Sequence, residues 1–407
     1  MKILQIAHKP PWPPVDGASI AMYNLCRGLV SNGHQVHVLA MNTYKQYCDI
    51  SKVPEDFRTN ARYTLVDIDI RIRAIPALLN LFSGKSYNMV RFDTSEVRKT
   101  LDEILSRTEY DLVILESLFS TAYLDLLRKR FPGPVILRSH NVEFNIWENL
   151  TNNERNPLKK WYLKLLTHRL KRYELETLSK VDFISSISEP DMDAFRKSGC
   201  TTAMEYVPFG INFNDEVYKS WSPPEKEEFV FFHVGSMDWL PHQEAFRWFL
   251  SEVWVPFSKQ HPEAVLHLAG SKMPGWIAEG NFPNVITQKG YVNGHEFMKK
   301  KAIMVVPSFS GSGIRIKIAE GMAMGKVIIT TSNGAMGIPA TNNENIFICD
   351  DRAAWIETLG KCMDNPELTK AISRNARQFA EREFNYLASA KKLVEEVFQA
   401  AGEIINK

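Results

Sequence analysis

Arg315, Lys317 and Glu320 follow closely on a glycine-bearing stretch, residues 308–313 (SFSGSG). The run 305–331, VVPSFSGSGIRIKIAEGMAMGKVIITT, has the pattern of a strand ending at Pro307, a loop, and a helix over about 314–323. Gly311 and Gly313 let a backbone approach a ligand closely. A helix N-terminus behind them presents unpaired N–H groups and the positive end of a dipole, a ready site for phosphate. Arg315 and Lys317 fall in the first turn, where a cation costs about 0.3–1 kcal/mol. A bound diphosphate reverses that cost. Glu320 lies about a turn and a half further on, and its carboxylate can accept two hydrogen bonds from a diol. The same residues also fit a tight strand–helix turn with solvated charges. Glycine spacing alone does not separate the two.

Such a site needs a sheet to hold it. Residues 2–7 form a short apolar strand, 8–19 (HKPPWPPVDGAS) a proline-rich loop, and Ala18, Ala21, Met22, Leu25 and Leu29 keep helical period up to Gly33. Further strands are expected at 35–40, 112–116, 135–139 and 182–186. The pattern pauses between 206 and 228, where the domain boundary is placed. A second series then begins, with strands at 229–235, 264–269, 284–288, 302–307, 326–330 and 345–349, a helix over 241–258, and helices from about 353 to the end. Short continuous apolar strands alternating with helices imply α/β domains with parallel sheets covered on both faces. Ligands in such sheets bind beyond the C-terminal strand ends, and two such domains leave a cleft between them.

Composition narrows the function classes. The 407 residues are 44% hydrophobic and 24% charged, and 49 basic against 47 acidic residues leave a net charge of +2. That length suggests at least two domains. No global field points to nucleic acid, so an anion site must be local. Cys26, Cys48, Cys200, Cys349 and Cys362 show no paired spacing and are expected to be reduced thiols. The apolar run at the N-terminus is short for a signal peptide, and no stretch of about 18 apolar residues occurs. A cytoplasmic protein is expected, free or peripheral on the inner face of the membrane. Residues 155–180 suggest that surface, because Lys159, Lys160, Lys164, Arg169, Lys171 and Arg172 alternate with Trp161, Leu163, Leu165, Leu166 and Leu170. A long packed helix with solvated charges explains the pattern equally.

Taken in order, these motifs resemble the family 4 retaining glycosyltransferases of the GT-B fold. The likeness is strongest in 305–331 and in 232–270, and is echoed at 33–36 (GHQV), 138–143 (RSHNVE), 185–189 (SSISE) and 207–212 (VPFGIN). It implies two Rossmann-like parallel-sheet domains facing across a cleft. Residues 1–210 would bind the acceptor and 211–385 the nucleotide-sugar donor, with a last helix over about 386–407 packing back on the first domain. It implies donor contacts at Gly311, Ser312, Gly313, Ile314 and Glu320, and at Gly235 after the first strand of the second domain. Gly17 matches a loop glycine facing the donor phosphates, and Gly290 and Tyr291 resemble a segment on which the base packs. His140 resembles a histidine pointing towards the transferred sugar. No metal and no cofactor beyond the donor is implied, since N–H groups and cations can stabilise the departing nucleoside diphosphate. Retention without an enzymic nucleophile implies front-face attack assisted by that phosphate. The acceptor would be a glycan or a lipid-linked sugar in cell-surface polysaccharide or glycoconjugate synthesis.

The chain also departs from the family. The signature pairs two glutamates across this loop and helix; the second matches Glu320, whereas the first falls at Ser312. Many members place an Arg and a Lys after the first strand of the donor domain, but 235–243 (GSMDWLPHQ) has neither. Arg315 and Lys317 are candidates to supply that charge. Glu116 and Glu143, near strand ends, are candidates to position an acceptor. A GT-B sugar-nucleotide epimerase and a degenerate sugar-nucleotide-binding protein are the alternatives.

Overall fold

A computed structural model describes residues 1–219, 221–225, 229–238, 240–290, 292–311 and 313–405. The chain divides into two compact units, Met1–Gly210 with Tyr386–Lys407, and Ile211–Asn385. In the first unit β1 (Lys2–Ala7), β2 (Gln35–Thr43), β3 (Ala61–Ile68), β4 (Leu112–Glu116), β5 (Val135–Ser139), β6 (Phe183–Ser186) and β7 (Met204–Tyr206) form one parallel sheet in the order β3-β2-β1-β4-β5-β6-β7. The centre of this sheet is covered on both faces, so β1, β4 and β5 are apolar runs with almost no exposed residue. Each fully buried Val, Leu, Ile or Phe there contributes about 1.5–3 kcal/mol.

Five helices matter below. They are α1 (Gly17–Ser31), α2 (Ala74–Asn80), α3 (Glu143–Asn153), α4 (Pro157–Leu178) and, in the second unit, α5 (Ile316–Ala323). The start of α1 lies inside the stretch expected to be loop. Asp16 and Ser19 form a reciprocal capping box, so Gly17 is the first helical residue. A last helix, α6 (Tyr386–Ile405), returns to the first unit and packs on α1. Gly28 allows that approach, because a Cβ there would lie 2.4 Å from the Tyr386 carbonyl oxygen.

The second unit repeats the plan. Its strands β8 (Phe231–Val234), β9 (Leu266–Gly270), β10 (Val285–Lys289), β11 (Ile303–Val306), β12 (Val327–Thr330) and β13 (Phe347–Ile348) pair in parallel in the order β10-β9-β8-β11-β12-β13. In both sheets the chain lays strands outward from the first one, then returns to its other side. The switch points lie between β1 and β4 and between β8 and β11, where ligands bind open α/β sheets.

Candidate functional site

At the switch point of the second unit, β8 carries His233, which is fully buried. Its Nδ1 lies 2.8 Å from the Val305 carbonyl on β11. A carbonyl only accepts, so Nδ1 carries the proton and Nε2 is left with a lone pair. Lys317 Nζ lies 3.4 Å from that Nε2. The same ammonium lies over Gly235, where a Cβ would meet it at 2.9 Å. Gly235 has φ +154°, as does Gly270 at the end of β9, and a Cβ on Gly270 would overlap the Gly235 carbonyl oxygen. Two glycines are therefore required for the strand ends to pass each other and seat the lysine. Burial and the nearby Arg315 lower the Lys317 pKa to about 7. Burial and the Lys317 charge hold His233 well below its usual range and take His242, whose ring is 5.1 Å from that of His233, down to about 3. One cation thus faces two neutral imidazoles.

The helix behind the glycine loop starts at Ile316, two residues later than the sequence suggests, and Ile314 stays in the loop. Gly311 and Gly313 take φ +108° and +76°, which prolongs the loop, and Arg315 occupies the N-cap position. Its guanidinium turns back on the loop. Nη1 donates to Gly313 O at 2.6 Å, and Nη2 lies 3.1 Å from both Ser310 O and Asn333 Oδ1. Asn333 closes the arrangement by donating to Gly311 O at 3.3 Å. Arg315 therefore shapes the loop, while Lys317, from the first turn, reaches the strand ends. Glu320 points to His295 Nε2 at 3.3 Å. Burial opposes the protonated form of His295, but the hydrogen bond and charge of Glu320, with Asp215 and Glu296, outweigh it and raise its pKa. Gly290 follows β10 at φ +94° with open space where a side chain would be. Tyr291 and Ser312 lie outside the described residues.

In the first unit the neighbouring ends of β1, β4 and β5 bring His8, Glu116, Ser117 and His140 together. His140 Nε2 donates to Glu116 Oε2 at 2.6 Å, and Gln5 Nε2 donates to Glu116 Oε1 at 2.7 Å. Glu116 and Arg138, opposite each other on β4 and β5, are both fully buried, so each offsets the other's charge. His140 Nδ1 is buried without a hydrogen-bond partner. The His8 ring is 6.4 Å from that of His140, and burial with the Lys9 and His140 charges takes its pKa to about 3. Ser117 adopts φ +71° and ψ 165°, a region that costs a non-glycine residue about 1–3 kcal/mol and recurs at functional sites. Gly17 lies beside the Asp16 cap, which Lys9 pairs at 2.6 Å.

One expectation is corrected here, and residues 155–180 take a structure that bears on both readings of them. Glu143 is not a free strand-end carboxylate but the buried first residue of α3, next to Glu174. Residues 155–180 are largely a packed helix, since Leu163, Leu166 and Leu170 of α4 are buried and only Leu158 and Trp161 among its large apolar residues stand exposed. The sequence also holds two Asp-x-Asp triplets, the spacing that metal-dependent sugar transferases use. Both are committed elsewhere: Asp67 accepts from Asn42, Asp69 pairs Arg71 and Arg73, Asp191 is buried and Asp193 pairs Arg196. Among the described residues no group of three His, Cys, Asp or Glu is placed to share a metal ion, and no helix is long and apolar enough to cross a membrane.

Two parallel α/β units of this strand order are those of the GT-B fold. The model of Glycosyltransferase Family 4 matches residues 15–215, and that of Glycosyl transferases group 1 matches residues 228–365. The chain belongs to glycosyltransferase family 4. It is 22% identical to a Klebsiella pneumoniae protein described as an uncharacterized 44.6 kDa protein in the cps region, over 98% of this chain and 99% of the relative. Among solved structures, Anabaena HepE in complex with UDP superposes with a TM-score of 0.66 at 13% identity, covering 98% of this chain and 100% of HepE. Sucrose-phosphate synthase from Thermosynechococcus elongatus gives 0.68 at 17% identity, covering 99% and 100%.

Proposed function

We propose that this glycosyltransferase moves a sugar from a nucleoside diphosphate sugar, with retention of configuration, to a glycan or lipid-linked acceptor in polysaccharide synthesis. The seat of Lys317 over Gly235 carries this reading. It places a cation at a strand end where the family's usual Arg and Lys are missing, beside the N-terminus of α5. In this reading the second unit holds the donor. Lys317 and the N–H groups around Gly311 to Ile314 take the diphosphate, Arg315 holds the loop in shape, Glu320 takes the ribose, and the Gly290 segment takes the base. His140 serves the transferred sugar, and the first unit holds the acceptor. As the bond from the anomeric carbon to the diphosphate oxygen breaks, the acceptor oxygen bonds to that carbon and gives its proton to the departing diphosphate, whose charge Lys317 and the loop N–H groups take up in place of a metal. HepE solved with UDP and with UDP-glucose supports a uridine nucleotide, and the relative in a cps region supports polysaccharide synthesis. Thermal-shift measurements against UDP, GDP, ADP and their sugars test the donor, with stabilisation expected from UDP. Release of nucleoside diphosphate with sugar appearing on an acceptor tests transfer. A new epimer of the donor, or no turnover of any donor, refutes it.

A further inference from the structure

Among the described residues, an exposed apolar stretch lies on the connection that follows β3. Ile72, Ile75, Leu78, Leu79 and Phe82, on and around α2, are all mostly exposed, Phe82 to 86%. Five large apolar side chains in eleven residues cost solubility and mark an interaction surface. The segment is pinned to α4: Arg169 donates to Asn80 O at 2.9 Å and Leu81 O at 2.8 Å, and Arg172 to Gly84 O at 2.9 Å. Leu158 and Trp161, also exposed, precede Arg169 and Arg172 by about three turns, so they share that face of α4 roughly 16 Å along its axis.

Charge identifies the occupant. Residues 69–92 contain Arg71, Arg73, Lys85 and Arg91 against one acid, Asp69, which pairs Arg71 and Arg73. Residues 154–173 contain seven Lys or Arg against one acid, Glu154, in a chain whose net charge is only +2. Glu154 pairs Lys159 and Glu148 pairs Lys171, which leaves this face strongly basic. Basic residues flanking exposed Phe, Trp, Ile and Leu match the interface of an anionic bilayer, where headgroups meet the cations and acyl chains take the apolar tips. Five of the seven exposed side chains, Ile72, Ile75, Leu78, Leu79 and Leu158, are aliphatic and give a nucleic acid nothing to stack on.

We infer that α2 and its flanks, with the N-terminal half of α4, dock the first unit on an anionic lipid surface. None of these residues belongs to the candidate donor site, so the docking surface and the transferase reading stand or fall separately. Sedimentation of the full chain with phosphatidylcholine vesicles, with and without phosphatidylglycerol, tests it. Binding is expected only with phosphatidylglycerol and to weaken at high salt. Ile75→Ser with Phe82→Ser, and separately Lys164→Glu, should each lower the bound fraction by about tenfold or more at an unchanged unfolding midpoint, since these three side chains are exposed. Wild-type protein left in the supernatant at low salt overturns the inference, as does undiminished binding of the apolar double variant. A solution dimer that the apolar double variant converts to monomer also overturns it, by assigning the face to a second copy of this chain.

Discussion

Lys317 Nζ lies 3.4 Å from His233 Nε2, on the lone pair left free by the bond of His233 to Val305. The lysine is thus held by a neutral acceptor that does not cancel its charge. With its pKa lowered to about 7 by burial and Arg315, it is charged below neutral pH and loses its charge above. If it binds the donor diphosphate, the donor KM should be lowest below about pH 7 and climb towards tenfold per pH unit above it. Lys317→Arg, charged throughout, should flatten that climb. Lys317→Met, uncharged throughout, should hold KM about ten- to a hundredfold above the acidic wild-type value with little pH dependence, so that the two converge above neutral pH. A wild-type KM that stays level through neutral and mildly alkaline pH would sink this assignment.

The Glu116–His140 pair makes a second prediction. Glu116 fixes the proton of His140 on Nε2 and leaves Nδ1 buried and unpartnered. Glu116→Gln keeps the volume but weakens that hold, so kcat should fall about tenfold or more with little change in donor KM. Glu116→Ala strands Gln5, His140 and Arg138 and should cost about 3 kcal/mol or more of stability. Steady-state kinetics and denaturant unfolding read the two effects separately; a normal kcat in Glu116→Gln would remove Glu116 from the chemistry.

How much of this was legible follows from where each constraint originates. The runs 112–116, 135–139 and 303–306 announce themselves because strands buried on both faces must be continuously apolar. Edge strands β3 and β7 carry no such run, and the partly exposed pattern of Ala61–Ile68 hides it among polar residues. At the site, Gly311, Gly313 and Lys317 are visible from type and spacing alone. The role of His233 is not, since its tautomer is set by a carbonyl far along the chain, although a histidine inside the run FVFFHVG was a signal. Likewise, Arg315 looks like a second phosphate ligand until Ser310, Gly313 and Asn333 are seen to engage it.

The glycine pair separates folding from binding. Gly270→Ala would put a Cβ 1.8 Å from the Gly235 carbonyl oxygen at φ +154°, and neither backbone can yield cheaply. A loss of about 3 kcal/mol or more is expected, read by chemical denaturation. At Gly235 the nearest atom is the mobile tip of Lys317, so Gly235→Ala meets mainly backbone strain, about 1–3 kcal/mol, and displaces the ammonium. It should therefore fold better than Gly270→Ala yet bind UDP more weakly than wild type by thermal shift. Unaltered UDP affinity in folded Gly235→Ala would separate the lysine from the donor.

Glu143 and Glu174 give the fold a pH dependence of their own. Glu174 accepts the backbone N–H groups of Glu143 and Phe144 at 3.0 and 2.9 Å, and Asp191 lies close enough to add its charge. Burial, joined by repulsion from Asp191 for Glu143 and from Glu143 for Glu174, raises their pKa values to about 7 and about 8, above the usual 4.5. The unfolded chain then ionises first. It binds fewer protons than the native state between pH 4.5 and about 8, so stability is fully present below that window and falls as pH rises through it. Glu143→Gln removes one of the two charges and should make the decline shallower, lifting the unfolding midpoint at alkaline pH by about 2–4 °C per kcal/mol recovered. Calorimetry from acid to mildly alkaline pH measures both slopes. A steeper decline in Glu143→Gln would mean that the Glu143 carboxylate is held ionised by its neighbours, reversing the sign argued here.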